Sequence, residues 1–161
     1  LKGGIFLAMI NWILRILPAK TIYAHCDIPC GIYDPHAAQL AAHTVIRMTK
    51  MIEESGEDLA KVHRMMNVKE EHAEIVKNEV RIIWGDYFKE EHVERFPDLH
   101  ALVFEIMKLA SKSKQNVDPE AAGQLLSKVQ EFAEIFYKSK NMEPSRIPSG
   151  YPTEGEIVSH K

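Results

Sequence analysis

Four stretches of this chain repeat apolar residues at steps of three and four, and that period constrains the fold more than any other feature. Ala41, Val45, Met48 and Ile52 form the first stripe. Asp34-Pro35 opens it, with Asp suited to cap a helix and Pro to its first position, and Gly56 closes it. A second segment, from about Asp58 to Tyr87, carries Val62, Met66, Ala73, Val76, Val80, Ile83 and Tyr87, with Lys69 as its one break. A third, from about Pro97 to Ser113, places Leu99, Leu102, Val103, Ile106 and Ala110 on one side. The fourth opens on Asp118-Pro119 and carries Ala122, Leu125, Val129, Phe132 and Phe136. No strand-type alternation of useful length occurs. Four amphipathic helices with short connections predict an all-α, up-down four-helix bundle.

What flanks the stripes differs in kind. Residues 1–24 hold an apolar run from Ile5 to Leu17, interrupted by Asn11 and Arg15, which is too short and too broken to read as a membrane span. It reads as a removable leader, either a dedicated pro-segment or a secretory signal, with a retained helix as the remaining alternative. After Asn141 come Pro144, Pro148, Gly150, Pro152 and Gly155, so 141–161 is expected to be an extended or disordered tail. The organisation is therefore leader 1–24, bundle with its preceding turn 25–140, and tail 141–161. A net charge of −3 gives no reason to expect nucleic acid. Without a clean secretory signal the cytoplasm is the expected compartment, export being the alternative.

The two cysteines, Cys26 and Cys30, stand in the turn His25-Cys26-Asp27-Ile28-Pro29-Cys30-Gly31. Spacing alone leaves a disulfide, a redox pair or a metal site open. If the leader is cut between Ala24 and His25, more donors appear. The new α-amine of His25 and the backbone nitrogen of Cys26 close one five-membered chelate ring. That nitrogen and the Cys26 thiolate close a second, and the turn through Pro29 returns the Cys30 thiolate. Two nitrogens and two sulfurs then lie in a plane, which suits Ni(II) or Cu(II) better than tetrahedral zinc. The His25 imidazole is left to sit above the plane as an axial ligand. Amide and thiolate donors are anionic and favour a higher oxidation state of the metal.

The string from His25 to Pro35 resembles the nickel-containing superoxide dismutases, whose mature chains begin His-Cys-Asp-x-Pro-Cys-Gly-x-Tyr-Asp-Pro. Trp84-Gly85-Asp86-Tyr87-Phe88-Lys89 and Phe96-Pro97-Asp98-Leu99-His100 look like further family segments in the right order. The resemblance spans about His25 to Lys140. It implies a homohexamer of four-helix bundles, a leader protease, and disproportionation of superoxide to oxygen and hydrogen peroxide by Ni(II)/Ni(III) cycling at one nickel ion per chain. It also implies that His25, Cys26 and Cys30 hold the metal and that Asp27 and Pro29 hold the hook against the helices. Tyr33 would stand by the open axial face, ordering water and limiting access to small anions, and Tyr87 would hydrogen-bond near it. Two positions depart from the family pattern. A helix-borne Glu is Ala41 here, and an Arg near the axial imidazole is His72.

Other readings are weaker. A di-iron bundle needs Glu-x-x-His, and none of the eight histidines has a Glu three residues before it. A thiol-disulfide protein needs a closer cysteine pair on a strand-to-helix turn. A nickel storage or delivery protein would bind metal without needing Tyr33. His36 and His43 read as surface or internally satisfied histidines, the methionines as core filler, and Lys69-Glu70-Glu71 as a solvated face.

Overall fold

The aspartates expected to start helices do so in the computed structural model, which describes residues 31–161. The Asp118 carboxylate accepts from the Ala121 amide at 2.9 Å with Pro119 in the first turn, and α5 follows over Pro119–Ser139. Asp58 accepts from Lys61 N and starts α2, Leu59–Ile82. Asp34 stands one residue further out and accepts the His36 amide at 2.7 Å ahead of α1, His36–Glu54. A π-helical turn, Ile83–Tyr87, ends α2, and short α3, Glu90–Arg95, leads into α4, Leu99–Gln115.

Helices α1, α2, α4 and α5 close a four-membered ring in which each packs on two others, as a bundle requires. The expected stripes of α4 and α5 are buried in full. Asn141 ends α5 in a left-handed conformation, φ 58°. The Met142 amide bonds to the Tyr137 carbonyl and the Asn141 amide to that of Lys138, a paired closure that satisfies carbonyls at the helix end.

Lys69 corrects the sequence reading. Far from a break or a solvated face, it is fully buried on α2 between Met65 and Ala73, its aliphatic stem continuing the stripe. Its Nζ donates to the carbonyls of Ser113, of Lys114 at 3.1 Å and of Asn116 at 2.9 Å. These are the carbonyls that the C-terminus of α4 leaves without helical partners, at the negative end of its dipole. Burial pulls the ammonium below the usual lysine pKa, with Glu70 opposing. Lys69→Met keeps the stem and strips the carbonyls of their donor. It should lower unfolding free energy by about 2 kcal/mol, read by urea denaturation.

The expectation of no strands and of an extended or disordered tail also needs correcting. Pro144–Pro148 (β1) and Glu156–His160 (β2) form an antiparallel hairpin, with Pro144 opposite His160 and Pro148 opposite Glu156. Gly150 and Gly155 take positive φ in the loop. The pattern is illegible because only Val158 of the hairpin is buried, and polar contacts do the docking. Buried Gln39 of α1 gives its amide nitrogen to the Val158 carbonyl at 2.9 Å and takes the Val158 N–H at 2.7 Å, covering the outer edge of β2 as a neighbouring strand would. Arg146 spans Glu134 and Gln130 on α5, and Gln130 donates to the Glu156 carbonyl at 2.6 Å.

His43 completes the seam. Its Nε2 is 3.1 Å from the Glu156 carbonyl, which only accepts, so Nε2 carries the proton and Nδ1 accepts from the Thr153 hydroxyl at 2.8 Å. Its ring and that of Tyr151 meet in a T-shaped contact. Burial holds the imidazole below its ordinary pKa of 6.5, and the Glu156 carbonyl opposes this in part. With the hairpin released, His43 therefore binds the proton more readily than with the hairpin docked. Docking is strongest above pH 6.5 and weakens as pH falls below it. The Val158 amide resonance should shift toward its released position on acidification to pH 5, and a His43→Gln chain should lose most of that pH dependence.

Candidate metal centre

The described chain begins where the cysteine turn ends. Gly31 has φ +81°, a left-handed angle that costs glycine little, so the backbone turns here directly after Cys30. Tyr33 follows, half-buried, its ring centroid 5.7 Å from that of Tyr87 and tilted by 53°. Asp34 then closes the turn into α1, and its Oδ1 also lies 3.5 Å from the Tyr137 hydroxyl. His25, Cys26, Asp27, Pro29 and Cys30 lie outside the described residues. Among the described residues no group of three or more His, Cys, Asp or Glu side chains could hold a metal ion.

Tyr87 is placed by the π-helical turn, whose extra residue re-aims the end of α2 before Phe88 goes extended. Its ring lies against Phe136 at 4.9 Å and stacks on His92 at 5.4 Å. The Ser139 hydroxyl spends its proton on the Phe136 carbonyl at 2.6 Å, so the Tyr87 hydroxyl, 2.8 Å away, is the donor between them. Tyr87 thus meets Tyr33 through its ring and anchors its own hydroxyl on α5. Lys140 lies over the Phe136 ring at 4.4 Å and brings a cation to this wall. No motif announced Ser139, Lys140 or His92, because each serves Tyr87 from an element remote in sequence or through a turn that no pattern marks.

The two departures take definite places. Ala41 is buried in the core, where a methyl makes no polar contact. His72 is half-buried, and its Nδ1 donates to the Val68 carbonyl one turn back at 2.9 Å. Tyr137 is buried, and burial first, then the Asp34 carboxylate, pushes its phenol up to about 12. The segments around Trp84 and His100 meet directly, the indole N–H donating to His100 Nδ1 at 2.9 Å.

Residues 20–140, which take in the whole cysteine turn, match the family model of the nickel-containing superoxide dismutases. The chain belongs to that family. Nickel superoxide dismutase of Streptomyces seoulensis is 37% identical over 126 residues, which span 76% of this chain and 93% of the relative. The Streptomyces coelicolor protein is 36% identical over the same length. A crystal structure of a nickel-containing superoxide dismutase with the ligation of the oxidised state superposes with a TM-score of 0.68 at 36% identity, covering 73% of this chain and 99% of that one. A native nickel superoxide dismutase structure gives 0.68 at 35% identity, covering 72% and 99%. The helical bundle is thus common to this chain and its relatives. The nickel superoxide dismutase match stops at residue 140, one residue after α5, and leaves the hairpin outside.

Proposed function

We propose that the turn His25–Cys30 and the adjoining Tyr33 form the working site of a nickel superoxide dismutase. The chain is an oxidoreductase that disproportionates superoxide to oxygen and hydrogen peroxide, with nickel as its cofactor. The observation that carries the residue assignment is the unbroken string from His25 to Pro35 within the family match. Its donor set fits nickel: two thiolates, an amide nitrogen and an amine are strong, largely anionic ligands that prefer a plane. Bound there, nickel supplies a one-electron couple between its divalent and trivalent states.

The protein's own residues do the rest. His25 gives amine and imidazole, Cys26 its amide nitrogen and thiolate, and Cys30 its thiolate. Asp27 and Pro29 hold the turn in shape. Tyr33 stands at the mouth, where its hydroxyl orders water for proton delivery and its ring limits entry to small anions. Tyr87, fastened to Ser139, backs that ring. A protease that cuts between Ala24 and His25 frees the amine. Six chains assemble as a homohexamer, acting in the cytoplasm without stable membrane or nucleic-acid partners. Among the described residues no helix is long and apolar enough to cross a membrane.

Intact mass and elemental analysis of the natively purified protein test this reading together with a superoxide assay. A chain starting at His25, about one nickel per chain and nickel-dependent turnover are expected. Nickel without turnover would favour the delivery reading, and an uncut leader on active protein would reject the site.

A further inference from the structure

We propose that the C-terminal hairpin positions the metal hook, by pinning the first turns of α1 and the four-residue stalk, residues 31–34, from which the hook hangs. The proposal rests on the hook assignment above. The hairpin lies beyond the family match, yet it docks on Gln39 and His43 in the first turns of α1, directly after the stalk.

Three contacts converge there. Gln39, fully buried, locks both backbone groups of Val158, and its backbone N–H donates to the carbonyl of buried Pro35 at 3.2 Å, the residue that follows the stalk. His43, one turn on, holds Thr153 and Glu156. The third contact runs through α5: the ring of His160, on β2, lies 5.2 Å from that of Tyr137, whose hydroxyl reaches Asp34, the last stalk residue. The same Asp34 oxygen accepts the His36 amide, so one side chain ties the stalk to α1 and to the Tyr137–His160 pair. A shift of the hairpin is therefore transmitted to residues 34 and 35, four and five positions after Cys30.

The consequence follows from how little play a metal site tolerates. Ligand distances are set to within about 0.2 Å, and a donor on a loose stalk spends time out of place. The chelate rings of His25 and Cys26 are local and survive such motion. The return of the Cys30 thiolate, nearest the stalk, does not. Loosening the hairpin should thus speed nickel loss and distort the site without unfolding the bundle, because relatives matched over 99% of their length by 73% of this chain form the same helices.

The test uses the processed, nickel-loaded enzyme. It compares the parent with a chain lacking 144–161 and with Tyr137→Phe and His160→Ala. Three readings are taken: helical melting by circular dichroism, nickel loss to excess EDTA, and the electron paramagnetic resonance of the oxidised enzyme. Truncation should leave the helical signal, raise the rate of nickel loss about ten-fold and change the resonance anisotropy, with Tyr137→Phe giving part of both effects. A folded truncated chain that holds nickel as the parent does, with an unchanged resonance, overturns the proposal. Should truncation abolish folding, the two point variants decide by the same readings. A parent without nickel, or one not starting at His25, overturns the hook assignment and this proposal with it. A loaded parent with unaffected variants overturns this proposal alone.

Discussion

Replacing either Cys26 or Cys30 with serine should reduce nickel-dependent superoxide turnover to the background of the metal-free chain. The argument is one of acidity. A thiol with an ordinary pKa near 8.5 is within reach of deprotonation when a cation approaches, and thiolate is the form that binds metal. A serine hydroxyl is far weaker as an acid and stays protonated, so one planar position is left with a poor neutral oxygen donor. The loss should be of chemistry and not of fold, since the described residues by themselves build a buried core that runs from Ala38 to Val158. Metal-free Cys→Ser chains should therefore melt with the metal-free parent. On the proposed ligand set His25→Ala separates the donors further: amine, amide and thiolates would remain, and only the imidazole would go. That variant should still take up nickel but lose most of its oxidised-nickel resonance and most of its turnover. Normal turnover in any of the three variants would reject the ligand set.

The proposed ligand set could be put forward from sequence alone because its donors are contiguous. Chelation by an amine, the next amide and that residue's thiolate is a local property, readable without a fold. The stripes of α4 and α5 were legible for a related reason: Leu99 to Ala110 is apolar at every buried position, and Ala122 to Phe136 at every one but Gln130. Lys69 was not, because a residue type stands for both a buried stem and a charged tip, and only the fold brings the carbonyls of Ser113 and Asn116 to that tip. The hairpin was hidden for the opposite reason. Its strands of five residues carry two prolines in β1 and one buried apolar side chain, and it is held by Gln39, His43 and Gln130, helix residues that no periodicity singles out. Tyr87 lies 54 residues after Tyr33 and reaches it through a π-helical turn; only the resemblance to a family pointed to the pair.

A chain carrying one extra glycine between Ala24 and His25 after processing, and therefore a mature end one residue too long, should fold and yet fail to bind nickel in the plane. The added peptide bond turns the His25 amine into a secondary amide. An α-amine with a pKa near 8 offers a lone pair at neutral pH, whereas an amide nitrogen binds only after losing a proton it holds far more strongly. The ring that the His25 amine would close with the Cys26 nitrogen is then lost, and the glycine's own amine stands one residue too far from Cys26 to close it, while imidazole, the Cys26 nitrogen and both thiolates remain. Those remaining donors still capture metal, but without the ring that fixes two adjacent corners of the plane. Retained nickel should fall to below about a tenth of an ion per chain after desalting, and turnover should fall with it, while helical content and melting of the metal-free chain stay those of the parent. The pH response gives an independent check. Each donor that must lose a proton steepens the fall of affinity with acidification, so the parent should lose nickel over a narrow pH interval and the extended chain over a different one. Tight nickel binding and full dismutation in the extended chain would mean that the His25 amine is not a ligand, and the planar model would fail at its first corner.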